Sequence, residues 1–341
     1  MASLQAVTVI EKDVNNDLIS WIFPAVDANT EQTLKNRSGL NSNSSGPPFR
    51  FSRFGNTWQY IFVSPISDLK NAKVMSIAVC VLTQDFNPPK YKALLGIFSE
   101  MYTAENSPMP IMKAYLQVVT TGKVNSEHGN FEDASFDPRR ALVSPVKPLF
   151  EMFGVEIIVI WVAMVLKKRV FVYADSLTEL QAAVRTLPLL GCWHRQNWDI
   201  LRPFMNVDET EMKDLEKLGV YVAGFTDPSC ASQTKHYDLF LDITARSYTI
   251  AEHAEKEFMM SKYHKQTAEA LCKIAAEESD QGAIKGIAMK TAELISNIEK
   301  FKTEQEDGTY VTLETLQSRN LPPNMDKFLY NVALAEKMCS P

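Results

Sequence analysis

Residues 157–173 read IIVIWVAMVLKKRVFVY: ten unbroken apolar residues, three basic ones, then a short aromatic and β-branched run. A bilayer span needs about 20 apolar residues, so 157–166 is expected as a buried core element. The pattern extends upstream into one long apolar helix over about 146–166. Lys167, Lys168 and Arg169 then fall at its C-terminus, where cations offset the negative end of the helix dipole, so a solvated basic cap is expected. VFVY follows as a short buried strand. Ser176-Leu177-Thr178-Glu179 matches a capping box and opens another helix, expected to end near Leu187-Pro188. A helix over about 208–217 and the strand-like runs YVAGFT (221–226) and DLFLDI (238–243) continue the alternation. Alternating helices and short apolar strands imply a three-layer α/β lobe with a largely parallel sheet.

Upstream the pattern differs. VTVIEKD (7–13) and DLISWIF (17–23) are β-prone runs joined around Asn15-Asn16-Asp17, a favourable tight turn. NSNSSGPP (41–48) reads as a surface loop, and FRFSRFG (49–55), TWQYIFV (57–63) and VMSIAVCVLT (74–83) read as strands. Asn87-Pro88 supplies a helix start. Tyr91, Leu94, Leu95, Phe98, Met101 and Tyr102 then recur at helical spacing and form an apolar stripe. A second helix is expected over about 109–121. Consecutive strands followed by helices predict a mainly antiparallel sheet. The polar, Gly-containing run 122–140 sustains neither the helical nor the strand period. The expected division is therefore an N-terminal lobe over 1–125, a linker over 126–140, a central α/β module over 141–250 and a helical region over 251–341. That last region is interrupted near 305–310 and resumes after Pro322-Pro323.

Composition narrows the function. The 341 residues are 45% hydrophobic and 22% charged, enough for two or three packed units. Thirteen basic residues face 13 acidic ones up to residue 140, and 22 face 28 beyond it, so neither part has the basic excess that nucleic-acid binding requires. Five dispersed cysteines with no C-x-x-C and no short Cys/His spacing fit a reduced, cytoplasmic compartment and no metal site. MASLQAVTVI lacks the features of a secretory or transit peptide, and Cys339 stands third from the end, where prenylation needs fourth. Direct membrane insertion is therefore not expected, and the N-x-S/T matches at Asn36 and Asn43 read as chance.

Catalytic signatures are near misses. Gly219 to Thr226 has the spacing of a phosphate-binding loop, but Phe225 occupies the lysine position and the run is strand-like. His194 near Asp199 lacks a nucleophile in a suitable turn, and Trp193, Trp198 and Phe204 read as packing aromatics. No catalytic residue and no cofactor is expected; the sequence points to a protein that works through its surfaces.

The order of features over 149–243 resembles the central module of DENN domains, exchange factors for Rab small GTPases. It runs from the long apolar helix through LKKRVFVY, SLTELQAAVRTLPLL, WHRQNWDILRPF, YVAGFT and YDLFLDI. AVCVLTQDF with the helix after it resembles the family's longin-like N-terminal lobe, and FLYNVALAEKM at 328–338 extends the resemblance to nearly the whole chain. The resemblance implies a bilobal α/β fold. In it, a longin-like lobe and a Rossmann-like three-layer lobe with a helical tail together clasp the switch regions of a Rab. The resemblance also implies recruitment to late endosomes. For the compact members it implies association with coiled-coil subunits of the Commander endosomal sorting assembly. The two functions to weigh are therefore a guanine nucleotide exchange factor and a Commander scaffold subunit with little or no exchange activity.

Binding residues follow from the strand reading of 18–23. Alternation puts Trp21 and Phe23 on one face and Leu18, Ser20 and Ile22 on the other. Trp21 and Phe23 are either core or a partner hot spot, where a Trp anchor is worth about 2 kcal/mol or more. Asn15, Asn16, Glu132, Asp133 and Asp137 are candidate GTPase-facing residues by their position at lobe edges, with solvated loop as the alternative.

Overall fold

The computed structural model describes residues 3–13, 15, 18–40, 46–65, 74–305 and 308–339. They fall into two compact units, Met1–Leu142 with Ser176–Gln181, and Val143–Asp175 with Ala182–Pro341. The protein is mixed α/β.

In the first unit β1 (Leu4–Asp13), β2 (Leu18–Phe23), β3 (Phe49–Phe54), β4 (Thr57–Pro65) and β5 (Val74–Thr83) form an antiparallel sheet of order β2-β1-β5-β4-β3. The most apolar strand, β5, takes the centre, and Ile77 to Leu82 are buried whichever face they point to. Helix α1 (Ala28–Ser38) covers one face through Leu34, which packs with Ala6, Ile10, Ile61 and Cys80. Helix α1 has too few apolar residues to show a helical period in the sequence, although its ends are marked. Asp27 caps it, accepting from the Thr30 amide at 2.9 Å, and Gly39 closes it in the left-handed region at φ 69°.

Helix α2 (Pro88–Glu105) covers the other face through its apolar stripe, with Tyr91 stacked on Tyr60 at 4.4 Å, and α3 (Met109–Thr121) packs beside it. The run read as a linker is folded into this unit. It forms a hairpin of β6 (Lys123–Ser126) and β7 (Gly129–Glu132), a 3-10 turn and the short α4 (Pro138–Ala141). Two apolar residues, Val124 and Phe131, are enough to bury its inner side, too sparse a pattern to show periodicity. The loop residues 41–45 lie outside the described residues.

The second unit opens with α5 (Lys147–Phe153) and α6 (Ile157–Val165), not one continuous helix. Gly154 sits at φ 52° and a 3-10 turn intervenes. Lys147 to Val165 is long and apolar enough to cross a membrane by length and composition, but every residue of α6 is buried in the unit. Strand β8 (Val170–Tyr173), α7 (Leu177–Gly191), β9 (Leu201–Met205), α8 (Glu209–Glu216), β10 (Val222–Phe225), β11 (Leu239–Asp242) and β12 (Ser247–Ile250) follow. The sheet order is β12-β11-β8-β10-β9, parallel except for β12 at the edge. Phe171, Tyr221 and Phe225 pack with α8 residues Met212 and Leu215, while Val170, Val172, Val222 and Leu241 are equally buried, so both faces are covered.

Helix α7 runs past its expected end, through Pro188 to Gly191. Burial of Leu187, Leu189 and Leu190 outweighs the lost backbone hydrogen bond. Its first turns count with the first unit. The remainder comprises α9 (Lys262–Glu277), α10 (Asp280–Glu299), the hairpin β13 (Thr303–Gln305) and β14 (Gly308–Tyr310), α11 (Leu313–Gln317) and α12 (Met325–Ala335).

Candidate interaction surfaces

Strand β2 lies at the edge of its sheet, with Trp21 opposite Val9 and Phe23 opposite Val7. The two rings are half-buried and stacked, 6.4 Å apart at 14°, and Phe23 meets Tyr115 of α3 edge-on at 5.9 Å. Helix α3 also carries Met109 and Leu116, 48% and 42% exposed. On the opposite face Ser20 donates to the Glu31 carboxylate of α1. The alternation read from sequence thus holds, and the aromatic pair is partly shielded by α3 and partly open.

The acidic candidates each have a partner within the first unit. Glu132 pairs across the small hairpin with Lys123 at 2.7 Å, both exposed, and Asp137 caps α4 by accepting from the Arg139 amide at 2.9 Å. Asp133 is tied into its own unit. It holds the Lys90 ammonium at 3.0 Å, and that side chain is only 8% exposed, so the carboxylate anchors α2 from within the unit. Asn15 is exposed in the β1–β2 turn, its amide donating to Asp13 at 2.8 Å; Asn16 lies outside the described residues.

The basic step after α6 also departs from expectation. Lys167 donates to the Ala335 carbonyl, Lys168 pairs with Glu257, and Arg169 forks onto Asp238, with its Nη2 at 2.6 Å and its backbone amide at 2.8 Å. These cations are clamped by carbonyls and carboxylates distant in sequence instead of standing in solvent.

A family model described as "Stabilization of polarity axis" matches residues 144–252, from the start of the second unit to just past β12. Over 97% of its length the chain is 35% identical to DENN domain-containing protein 10 of Dictyostelium discoideum and to that of Homo sapiens. Those alignments take in 96% and 95% of the two relatives. The Danio rerio protein of the same name is 34% identical over 97% of this chain and 96% of its own. The chain belongs to the DENN domain-containing protein 10 family.

In this family member the charged side chains form three groupings, each completed by a residue distant along the chain. The first is the Lys90 hub: Asp85 takes the ammonium at 2.6 Å and accepts from the Ser3 and Tyr91 hydroxyls. Burial opposes the charges, but hydrogen bonds from Lys90, Ser3 and Tyr91 hold Asp85 below the usual carboxylate range, and Lys90 is raised above the ordinary lysine value. In the second, Glu336 of the α12 C-cap accepts from Arg195 and meets His194 at 3.2 Å. Burial works against its charge, yet these two partners bring its pKa down to about 2.

The third grouping adds His253, 3.0 Å from Asp238, to the Arg169 fork. Despite burial, these hydrogen bonds depress the Asp238 pKa. All three join elements of their own unit. Of the other sequence candidates, Phe225 is buried in β10 and the half-buried Trp193 meets Trp198 edge-on at 5.9 Å. Among the described residues no group of three or more His, Cys, Asp or Glu could hold a metal ion.

Proposed function

We propose that this DENN family member is a guanine nucleotide exchange factor or regulator for a Rab small GTPase, acting in the cytoplasm and on late endosomes. In this reading the first unit is the longin-like lobe and the second the Rossmann-like DENN lobe with its helical tail. The observation that carries the reading is the reach of the family match, 97% of the chain, which takes in both units. The mechanism needs no acid, base, metal or cofactor. An exchange factor that binds the nucleotide-free GTPase more tightly than the GDP-bound one weakens nucleotide affinity by the same factor. A partner that binds both states equally leaves nucleotide affinity unchanged.

The test is GDP release from a panel of Rabs loaded with a fluorescent GDP analogue, followed after adding the full chain and excess GTP. Catalytic acceleration for one Rab or a small subset is expected. Unchanged release across the panel would remove the exchange reading.

The Trp21–Phe23 pair supports a second reading, a scaffold subunit docking on the coiled-coil subunits of the Commander assembly. Aromatics stacked on an edge strand and only partly covered by α3 are suited to anchor a helical partner. Stable co-purification with those subunits, together with an inactive release panel, would favour the scaffold over the exchange factor.

A further inference from the structure

Helix α10 presents Ile284, Ala288 and Ala292 toward Trp193, and an open apolar groove of about 480 Å³ lies along them. Its lining on α10 spans Gln281 to Ala292 at steps of three and four residues, a strip about 16 Å long. That is the footprint of about three turns of a second helix laid alongside, whose apolar anchors recur at the same steps. The two alanines leave a trough for bulkier side chains. Met289, 64% exposed, borders it with an unbranched thioether that adapts to different shapes.

Charge narrows the occupant. The neighbouring cations are engaged: Lys290 with Glu293, and Arg195 and His194 with Glu336. Lys285 lines the groove, is exposed, and has Gln281 and Met289 as its neighbours one turn away on either side. Among the described residues it has no ion pair. We propose that this groove docks an amphipathic α-helix of a partner protein, with apolar anchors entering beside Ala288 and Ala292 and a carboxylate one turn away pairing with Lys285. The site lies wholly in the second unit and stands whether or not the GTPase reading does.

The probe is a displayed library of amphipathic helices of about 14 residues, with Leu, Phe or Met at every third or fourth position and randomised flanks. It is selected on the full chain, and affinities are then measured by fluorescence anisotropy. Enriched peptides are expected to carry Asp or Glu beside an apolar anchor. Met289→Asp and Ala288→Trp should each weaken binding about tenfold or more. Lys285→Glu should weaken the acidic peptides similarly and restore binding to peptides in which the acid is exchanged for lysine. Lys285 and Met289 are exposed, so the test stands even if Ala288→Trp fails to fold, and circular dichroism checks each variant. Absence of enrichment over an unrelated protein, or peptides that bind all three variants as well as the parent, would overturn the proposal. A dimer that Met289→Asp dissolves would overturn it in favour of a second copy, and palmitate competing for the groove in favour of an acyl chain.

Discussion

Phe23 lies perpendicular to Tyr115 and near-parallel to Trp21, so charging it disturbs two contacts on a half-open surface. Phe23→Lys is expected to cost about 1 kcal/mol in stability while lowering partner capture about tenfold or more. Thermal melts and co-purification measure the two effects, and a variant that no longer folds would return the pair to the core. His264 offers a different residue-scale test. It is 2% exposed, accepts from the Ser261 amide at 3.1 Å and packs edge-on to Phe328 at 4.4 Å. Burial lowers its pKa from 6.5 to about 4. Between those values the unfolded chain binds the extra proton, so stability falls as pH drops through that window, by about 1.4 kcal/mol per pH unit. Urea denaturation from pH 7 to 4 should show that slope, and His264→Gln should flatten it. Alternation made the pairing of Trp21 with Phe23 legible before any coordinates. The neutral, buried state of His264 was not legible, because Phe328 lies 64 residues away.

Elements record where close packing overrides local propensity. Helix α7 passes α6 so closely at Gly191 that an added Cβ would lie 2.7 Å from Met164 Cβ and 3.1 Å from the Val165 amide nitrogen. Gly191→Ala is therefore expected to destabilise by about 1–3 kcal/mol. Gly96 in α2 has nothing within 4 Å of the same construction, so Gly96→Ala should stabilise by about 0.5–1 kcal/mol through helix propensity alone. Chemical denaturation of the two variants, which make the same substitution in opposite settings, separates packing from propensity. The same balance explains which elements could be read early. Helix α2 shows its stripe and its cap openly, and β5 is apolar enough to be a strand in any context. Helix α1, with Leu34 as its main buried apolar residue, and β9, interrupted by Pro203, show little periodicity and are fixed by what packs on them.

At the scale of the whole molecule, acid stability joins the C-terminal region to the middle of the chain. Glu336 is ionised in the fold down to about pH 2, against 4.5 for the same carboxyl free in water. Its contribution is therefore complete above pH 4.5 and lost as pH falls toward 2. Glu336→Gln should leave Arg195 without its carboxylate, lowering neutral-pH stability by about 3 kcal/mol and flattening the acid limb below pH 4.5, as read by pH-dependent melts. The net charge of −6 and the even spread of basic residues also predict no retention on immobilised heparin at physiological salt.

Sequence by itself determined that this protein has an antiparallel strand-rich first part and an alternating α/β second part, and that Trp21 and Phe23 share a face. These are consequences of hydrophobic period and cap chemistry, which act over a few residues. Only the tertiary structure decided the order of the strands, the break at Gly154, the folding of 123–141 into the first unit and the fate of the charged residues. Asp133 serves Lys90, Lys167 serves Ala335 and Arg195 serves Glu336, 43, 168 and 141 positions apart. A charge is placed by whichever partner compensates its desolvation, and at such separations that partner is chosen by the packing of the surrounding helices and strands.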